Sequence, residues 1–204
     1  QFHTTGLLAD IKHSFFFEPG NSQDRTRNTT ATLYGNPVID GEGIHILHSN
    51  SSYIGFPSDH GGAMTLAMWI KIDDDSFHVG DYKWNILYRG ANFDIQITPS
   101  GTLKAHPRAG PGGQFGWINY NPHTWYHLVI VIEGPNIIPK WYMNGTNNYA
   151  SSWSFSGNLS GKITRNIDLG NNTQCVFKSF NIWERPLSAN EVRDLYNFGR
   201  DYNI

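Results

Sequence analysis

TWYHLVIVIEGPNIIPKWYMNG, residues 124–145, is the stretch of this sequence that decides the fold. It begins with an apolar run, Trp125–Ile132, that is rich in β-branched and aromatic residues and too short to span a membrane. Residues 133–136, Glu-Gly-Pro-Asn, form a turn signal, and residues 137–143 are typical of a returning strand. Asn144-Gly145 is a strong signal for a two-residue hairpin turn. Because the first strand is apolar on both faces, the pattern predicts two stacked sheets.

Composition agrees with a β-sandwich. The chain has 204 residues with 39% hydrophobic, 14% aromatic and only 16% charged residues, and its 21 glycines suit many short strands joined by tight turns. We expect one domain over residues 1–204, with residues 1–10 as a loose N-terminal arm. The net charge of −2 provides no general attraction to phosphate backbones or anionic membranes. Nucleic acid and membrane insertion are therefore not expected.

Cysteine and asparagine usage bear on the compartment. Cys175 is the only cysteine, so an internal disulfide is impossible, and a small buried thiol is the expected role. Five N-x-[ST] triplets are glycan acceptors if the protein is secreted, and they begin at Asn28, Asn50, Asn144, Asn158 and Asn171. We expect an extracellular, cell-surface or virion-surface domain that was excised from a longer protein.

The rest of the chain predicts a nearly continuous antiparallel meander that ends in one helix. Expected strands cover residues 11–18, 31–34, 43–48, 52–57, 64–72, 84–89, 93–98, 102–108, 115–120, 148–155, 162–169 and 175–184. Residues 21–30 lack a large apolar side chain and are expected to form a solvated loop. Ser188 followed by Glu191 is a capping-box signal, and Val192, Leu195 and Tyr196 mark the apolar face of a short helix.

Three motifs resemble a known family. Residues 180–192, FNIWERPLSANEV, are similar to the closing strand and helix of laminin G-like and pentraxin-like domains. Residues 125–130, WYHLVI, resemble the family's Trp-His-His-Val strand, and residues 141–145, WYMNG, resemble its Tyr-Val-Asp-Gly hairpin. With residues 43–54 and 64–70 fitting the preceding strands, the resemblance implies an all-β, two-sheet antiparallel jelly-roll sandwich of the concanavalin A-like type, with one short C-terminal helix.

The resemblance does not settle function, because this fold hosts lectins, adhesion modules and glycanases. Pentraxins hold calcium partly through an acidic run after Leu-Gly, but Leu169-Gly170 is followed here by Asn-Asn-Thr-Gln. Asp73, Asp74, Asp75 and Asp81 form a dense acidic loop that a solvated turn explains better than an ion site. We assign no metal ligand and expect no cofactor.

Enzyme chemistry is not the favoured interpretation. The resembling hydrolases carry Glu-x-Asp-x-x-Glu or a close variant on one strand, and this string is absent. Asp94, Asp168, Glu133 and Glu184 are solitary, and G-x-S-x-G and H-E-x-x-H are also absent. We assign no catalytic residue and expect a binding domain rather than an enzyme.

Sugar-binding sites commonly present an aromatic ring to the apolar face of a pyranose. The candidate rings are Tyr82 and Trp84 after the acidic loop, Trp117 and Tyr120 after the Gly/Pro-rich residues 109–113, and Tyr149 and Trp153 after the central hairpin. Trp69, Trp125, Trp141 and Trp183 are assigned to the core or its borders, and Trp125 and Leu128 are expected to be buried in the core between the sheets. Each candidate ring also has a core role as its alternative.

One strand adds a preference for an acidic sugar. Lys104, His106 and Arg108 alternate along residues 102–108 and predict a basic row on one face, with Arg108 available for a bidentate carboxylate contact. Pro107 suggests an edge strand, where a basic row also blocks sheet-to-sheet aggregation.

We therefore expect a non-enzymatic carbohydrate-binding or adhesion domain whose partner is a glycan or glycoprotein receptor. A structural module that binds protein partners or forms multimers is one alternative. A glycoside hydrolase or polysaccharide lyase is another, and the sequence does not define the oligomeric state.

Overall fold

The computed structural model describes residues 6–7, 9–60, 62–73, 85–90, 93–98, 101–107, 115–134, 139–147, 163–171 and 173–198. Fifteen strands occur in these residues: β1 Ile11–Phe16, β2 Thr32–Tyr34, β3 Val38–Ile39, β4 Ile44–Ile46, β5 Tyr53–His60, β6 Met64–Ile72, β7 Asn85–Arg89, β8 Phe93–Ile97, β9 Thr102–Pro107, β10 Phe115–Asn119, β11 Trp125–Ile132, β12 Lys140–Met143, β13 Thr146–Asn147, β14 Ile163–Leu169 and β15 Cys175–Trp183. A short 3₁₀ turn covers His48–Asn50, and one helix, α1, covers Ala189–Asn197.

The strands form two antiparallel sheets. The eight-stranded sheet has the order β13-β12-β11-β6-β15-β4-β3, and β1 pairs with β15 beside β4. The seven-stranded sheet has the order β10-β9-β8-β7-β14-β5-β2. This is the all-β sandwich that the sequence predicts, with its single C-terminal helix.

The central strand β11 is buried on both faces, as its composition predicts, but two different layers cover it. Tyr126, Leu128, Ile130 and Ile132 point into the core between the sheets. The alternate residues Val129 and Val131 belong to a second cluster, which also contains Leu187, Val192 and Leu195 from α1 and its approach, with Leu7 and Trp183. The helix therefore covers the outer face of the eight-stranded sheet, which explains why β11 carries no polar face.

Local signals determine the hairpin and the helix start. Asn144 and Gly145 both have positive φ, 53° and 75°, and they join Met143 to its partner Thr146. A two-residue turn of this kind matches the twist of the flanking strands. At α1, the Ser188 side chain accepts from the Glu191 backbone N–H, and the Glu191 carboxylate accepts from the Ser188 N–H. This capping box confirms the predicted helix start.

Four expectations differ from the structure. The arm is not loose at its described residues, because Leu7 is 5% exposed and its carbonyl accepts from Trp183 Nε1 at 2.6 Å. The 21–30 loop buries Asp24, which is 3% exposed. Strand β9 is not an edge strand, since it lies between β8 and β10. Trp125 is only half-buried and does not point into the core between the sheets, since it lies at the start of β11 on the face opposite Leu128, with the Lys71 ammonium 5.5 Å from its ring centroid.

Candidate functional site

The outer face of the seven-stranded sheet carries the first candidate site. Ile54 and Phe56 of β5 point into the core, as do Ile167 and Leu169 of β14. The alternation of a strand therefore places Tyr53, Gly55 and Asp168 on the opposite, outer face. Asp168 pairs in register with Gly55 on one side and with Arg89 of β7 on the other.

Two tyrosines form an aromatic surface at the edge of this face. Tyr34 of β2 pairs directly with Tyr53 of β5, and their rings stack with centroids 4.4 Å apart and an interplanar angle of 9°. A Cβ on Gly55 would lie 2.9 Å from Tyr34 Cε2, so the glycine leaves room for the ring in its present orientation. Tyr34 is 41% exposed, which makes it one of the large exposed hydrophobic side chains in the described part of the chain. We call Tyr34, Tyr53 and Gly55 the tyrosine platform.

Charged residues continue from the platform across the sheet. Asp168, Arg89 and Asp94 are successive register neighbours on β14, β7 and β8. Burial, the negative charge of Asp168 and the neighbouring Tyr34 together raise the pKa of Tyr53, so its hydroxyl stays protonated at neutral pH. The Nε atom of Arg89 is buried and lacks a hydrogen-bond partner, although buried polar groups normally have one. The platform therefore lies beside the Asp168 carboxylate and, one strand farther, the Arg89 guanidinium.

The predicted basic row lies farther along the same sheet. Lys104 is the register neighbour of Gln96 on β8 and of Trp117 on β10, and His106 is the neighbour of Asp94. Lys104 is only 4% exposed, and burial lowers its pKa, whereas we expected it on an exposed surface. The placement differs because β9 is an inner strand.

Several predicted contact residues have no described side chain. Arg108, Tyr82, Trp84, Tyr149 and Trp153 lie outside the described residues. His106 and Trp117 are described through their backbone alone. Tyr120 is half-buried and packs against the core between the sheets, so the core role that we gave as its alternative fits its position.

A second candidate site is an open cleft between the ends of β1 and β5. It has a volume of about 420 Å³ and is lined by Lys12, His13, Asn28, Thr29, Pro57, Ser58 and Asp59. We call it the β1–β5 cleft. Only Pro57 is apolar among these residues, so the lining suits a hydrophilic ligand.

A hydrogen-bonded chain of three side chains lies behind this cleft. His13 Nδ1 is 2.8 Å from Asp24 Oδ2, and His13 Nε2 is 2.9 Å from Ser58 Oγ. Asp24 Oδ1 also accepts from the Ser14 and Thr26 backbone N–H groups and from the Thr26 hydroxyl. Burial by itself raises the pKa of Asp24, but the hydrogen bonds from His13, Ser14 and Thr26 outweigh it and hold that pKa below its ordinary value.

The mouth of the cleft is charged. Lys12 Nζ is 2.7 Å from an Asp59 carboxylate oxygen and 3.5 Å from Glu184. The hydrogen bond to Asp59 raises the pKa of Lys12 despite partial burial, so the ammonium remains charged. Asn28 Nδ2 donates to the Lys12 carbonyl at 2.7 Å, and Thr29 Oγ1 donates to the Pro57 carbonyl at 3.0 Å.

Other titratable groups have structural roles. Cys175 is 1% exposed, and burial raises the pKa of its thiol to about 12, which confirms the predicted buried thiol. His127 is 3% exposed and lies against Trp69 and Tyr196, and burial lowers its pKa to about 3. In the described part of the chain, no three His, Cys, Asp or Glu side chains come together as a metal site requires. Of the predicted acidic loop only Asp73 is described, and Asp74, Asp75 and Asp81 lie outside the described residues.

Sequence reasoning missed both sites. Asp24 lies in a polar segment without strand periodicity, and only the fold brings it to His13, 11 positions earlier, and to Ser58. The platform had a weak signal, since Tyr34 and Tyr53 each alternate with a core residue in a predicted strand. Their adjacency depended on strand pairing that the sequence does not state.

Comparisons with known proteins agree with this architecture. The sequence pattern of the laminin G type described as the concanavalin A-like lectin/glucanases superfamily matches residues 40–193. A comparison with curated protein sequences finds no match. Within the described residues, no helix is long and apolar enough to cross a membrane.

Solved structures with a similar fold include toxin domains and a module of a polysaccharide-degrading enzyme. The receptor binding domain of botulinum neurotoxin C/D mosaic serotype has a TM-score of 0.74 at 15% identity, over 93% of this chain and 51% of the toxin domain. The botulinum neurotoxin serotype D ligand binding domain in complex with N-acetylneuraminic acid has a TM-score of 0.74 at 14% identity, over 93% of this chain and 51% of that domain. A third similar structure is domain 4 of AbnA, a GH43 extracellular arabinanase from Geobacillus stearothermophilus, in complex with arabinotriose. Its TM-score is 0.68 at 18% identity, over 92% of this chain and 98% of that domain.

This chain thus spans about half the length of the toxin domains and nearly the whole of the arabinanase module. Identities of this size establish a shared fold and leave function to the site itself. The family pattern covers residues 40–193, from the turn between β3 and β4 to the first half of α1. The chain belongs to the laminin G-like domains of the concanavalin A-like lectin/glucanase superfamily.

Proposed function

We propose that this domain binds carbohydrate, as part of a larger protein outside the cell or on a virus particle, and that the tyrosine platform is the contact surface. One observation carries the proposal: a stacked tyrosine pair, exposed at Tyr34 and half-buried at Tyr53, lies over a glycine and beside a carboxylate and a guanidinium. Aromatic faces stack on the apolar C–H face of a pyranose, while carboxylates and guanidinium groups bind its hydroxyls. The platform and its charged neighbours Asp168 and Arg89 together offer both kinds of contact.

The similar structures support the proposal by analogy. One toxin domain was solved with N-acetylneuraminic acid and the arabinanase module with arabinotriose, so proteins of this fold include binders of acidic and of neutral sugars. In this chain, Arg89 would favour an acidic sugar, whereas Asp168 would accept hydrogen bonds from neutral hydroxyls. The predicted contacts at His106, Arg108 and Trp117 remain a second proposal, whereas Lys104 is buried and Tyr120 packs against the core.

The test is a titration of the protein with sialylated and with neutral oligosaccharides, chosen from the hits of a glycan array. We expect Tyr34→Ala to weaken binding by about 1.5 to 3 kcal/mol, because it removes the exposed stacking face. Tyr34→Trp keeps an aromatic face and should preserve most of the affinity. Val38→Ala is the matched control, since Val38 is also exposed, at 54%, and lies on the edge strand of the other sheet.

The outcomes separate the possible sites. Unchanged affinity in Tyr34→Ala, together with loss in Arg108→Ala or Trp117→Ala, would move the site to the predicted basic row. No binding to any glycan by the parent protein would refute the proposal.

The alternative function, a protein-interaction or multimer-forming module, is favoured by a different feature. Val38 on edge strand β3 is 54% exposed, and exposed apolar edge strands commonly pair with another chain. Sedimentation of the parent protein and of Val38→Lys would detect such pairing. A shift from oligomer to monomer in the variant would support this alternative.

A further inference from the structure

The hydroxyl of Ser58, the imidazole of His13 and the carboxylate of Asp24 form a continuous hydrogen-bonded chain. Ser58, which is 4% exposed, and His13 both contribute to the lining of the β1–β5 cleft. We propose that this chain is a serine-hydrolase site that cleaves short acyl esters of hydroxylated compounds, with Ser58 as nucleophile and His13 as general base. Asp24 is the positioning residue. The proposal departs from our expectation of a domain that only binds, and it is independent of the tyrosine platform.

The carboxylate fixes the orientation of the imidazole. Asp24 Oδ1 accepts from the Ser14 N–H, the Thr26 N–H and the Thr26 hydroxyl, at 2.9, 3.0 and 2.8 Å, which locks the carboxylate in place. An ionised carboxylate only accepts, so Asp24 Oδ2 requires a proton on His13 Nδ1. In the neutral tautomer with that proton, His13 Nε2 presents its lone pair to Ser58 Oγ at 2.9 Å, which is the arrangement that activates a serine.

Aromatic packing holds His13 rigidly in this position. Its ring contacts Phe56 edge-on with centroids 5.5 Å apart, and it lies 6.5 Å from the Phe15 ring. His13 is 1% exposed and Asp24 is 3% exposed. A low-dielectric environment of this kind strengthens the electrostatic effect of Asp24 on the imidazolium that forms during catalysis.

The three residues come from different parts of the fold. His13 lies on β1 of the eight-stranded sheet, Ser58 lies on β5 of the seven-stranded sheet, and Asp24 lies in the loop after β1. Ser58 is part of a regular strand and not of a strand–turn–helix elbow. Since triads recur on unrelated folds in different chain orders, geometry identifies them better than sequence motifs do.

The cleft defines the class of substrate. Its volume of about 420 Å³ is lined by polar side chains and by Pro57, without a hydrophobic channel for a long acyl chain. A short acyl group such as acetyl fits this lining, and the leaving alcohol faces the hydrophilic groups at the mouth. Lys12 and Asn28 line the cleft, and in this proposal their side-chain N–H groups are the donors for the negative charge that develops on the carbonyl oxygen.

The reaction balances with water as the only co-reactant. Ser58 Oγ bonds to the ester carbonyl carbon while its proton moves to His13 Nε2, and His13 passes this proton to the leaving alkoxide as the C–O bond breaks. A water molecule then attacks the acyl-serine and gives its proton to His13, which returns it to Ser58 Oγ. The products are one alcohol and one carboxylic acid.

Fluorophosphonate labelling and ester hydrolysis test the proposal. The purified protein is incubated with a fluorophosphonate and the labelled residue is identified by peptide mass spectrometry; 4-nitrophenyl acetate, butyrate and octanoate are then assayed for turnover. We expect labelling at Ser58, multiple turnovers of the acetate ester and much slower hydrolysis of the octanoate ester. Ser49→Ala is the matched control, because Ser49 is an exposed serine on the 3₁₀ turn.

Variants separate catalysis from folding. Ser58→Ala should lose both label and turnover while it keeps its circular dichroism spectrum. Asp24→Asn should lower turnover by roughly 10³- to 10⁴-fold, because the amide favours the wrong imidazole tautomer. It should also shift the pH profile of the residual activity, which a merely structural role of Asp24 would leave unchanged.

Absence of label at Ser58, or labelling without repeated turnover of any of the three esters, overturns the proposal. Hydrolysis that persists in Ser58→Ala at the parental rate also overturns it. Tyr34→Ala should keep full esterase activity, so failure of the glycan-binding proposal and failure of this one are distinguishable.

Discussion

Replacing Asp24 with alanine removes the acceptor of four hydrogen bonds at a position that is 3% exposed. The Ser14 N–H and the His13 ring N–H then lose their partner in surroundings where each residue is at most 5% exposed. Each unsatisfied buried donor costs about 1 to 3 kcal/mol. Thr26 is half-buried, so its donors turn to water at little cost. We expect the free energy of unfolding to fall by about 3 to 5 kcal/mol, the range for a broken buried pair.

Urea denaturation followed by tryptophan fluorescence measures this loss. For a domain of this size, the same change lowers the melting temperature by roughly 6 to 20 °C. Asp24→Asn keeps one carbonyl oxygen for Ser14 and Thr26, and it should cost only about 1 to 2 kcal/mol. Lys140→Ala is the surface control, since its pair with Glu133 is exposed, and exposed pairs contribute about 0 to 1 kcal/mol.

The Asp24 carboxylate also makes the stability of the fold depend on pH. Because the folded-state pKa of Asp24 is below its ordinary value, the carboxylate stabilises the fold above about pH 4, and this contribution is lost as the pH falls through the folded-state pKa. As the pH falls below about 4, Asp24→Asn should therefore lose less stability than the parent. A loss under about 1 kcal/mol in Asp24→Ala at pH 7 would refute the reasoning that the buried hydrogen bonds of Asp24 stabilise the fold.

Two further predictions concern the central strand. Leu128→Ala should lower the free energy of unfolding by about 2 to 5 kcal/mol. Trp125→Ala should lower it by only about 1 to 2 kcal/mol, because Trp125 is half-buried and faces away from the core. Equal losses in urea denaturation would contradict this assignment. Burial lowers the pKa of His127 to about 3, so below about pH 6.5 this histidine is protonated in the unfolded chain and neutral in the folded protein. The free energy of unfolding should therefore fall by about 1.4 kcal/mol for each pH unit below about 6.5. Denaturation midpoints at pH 7.5, 6 and 5 should show this slope in the parent and in the exposed control His123→Gln but not in His127→Phe, and an unchanged slope in His127→Phe would contradict the assignment.

The sequence predicted the elements that depend on local pattern. Met64–Ile72 and Trp125–Ile132 have the predicted bounds, because long apolar runs with flanking turn residues favour one structure. The Asn144-Gly145 turn and the Ser188 capping box also follow from local chemistry, since positive φ and an N-terminal acceptor depend on few neighbouring residues.

Contacts between distant residues depended on tertiary structure. Pro107 suggested an edge strand, but β10 pairs beyond β9 and makes it an inner strand, so Lys104 is buried. The outer face of β11 is buried although no third sheet covers it, because α1 packs there. The stacking of Tyr34 on Tyr53 follows from the register of β2 on β5, and the meeting of His13, Asp24 and Ser58 follows from the stacking of two sheets. Amino-acid periodicity indicates which face of a strand is apolar, whereas strand order and register arise from the packing of the whole chain. The fold class could therefore be predicted from the sequence, but neither candidate site could.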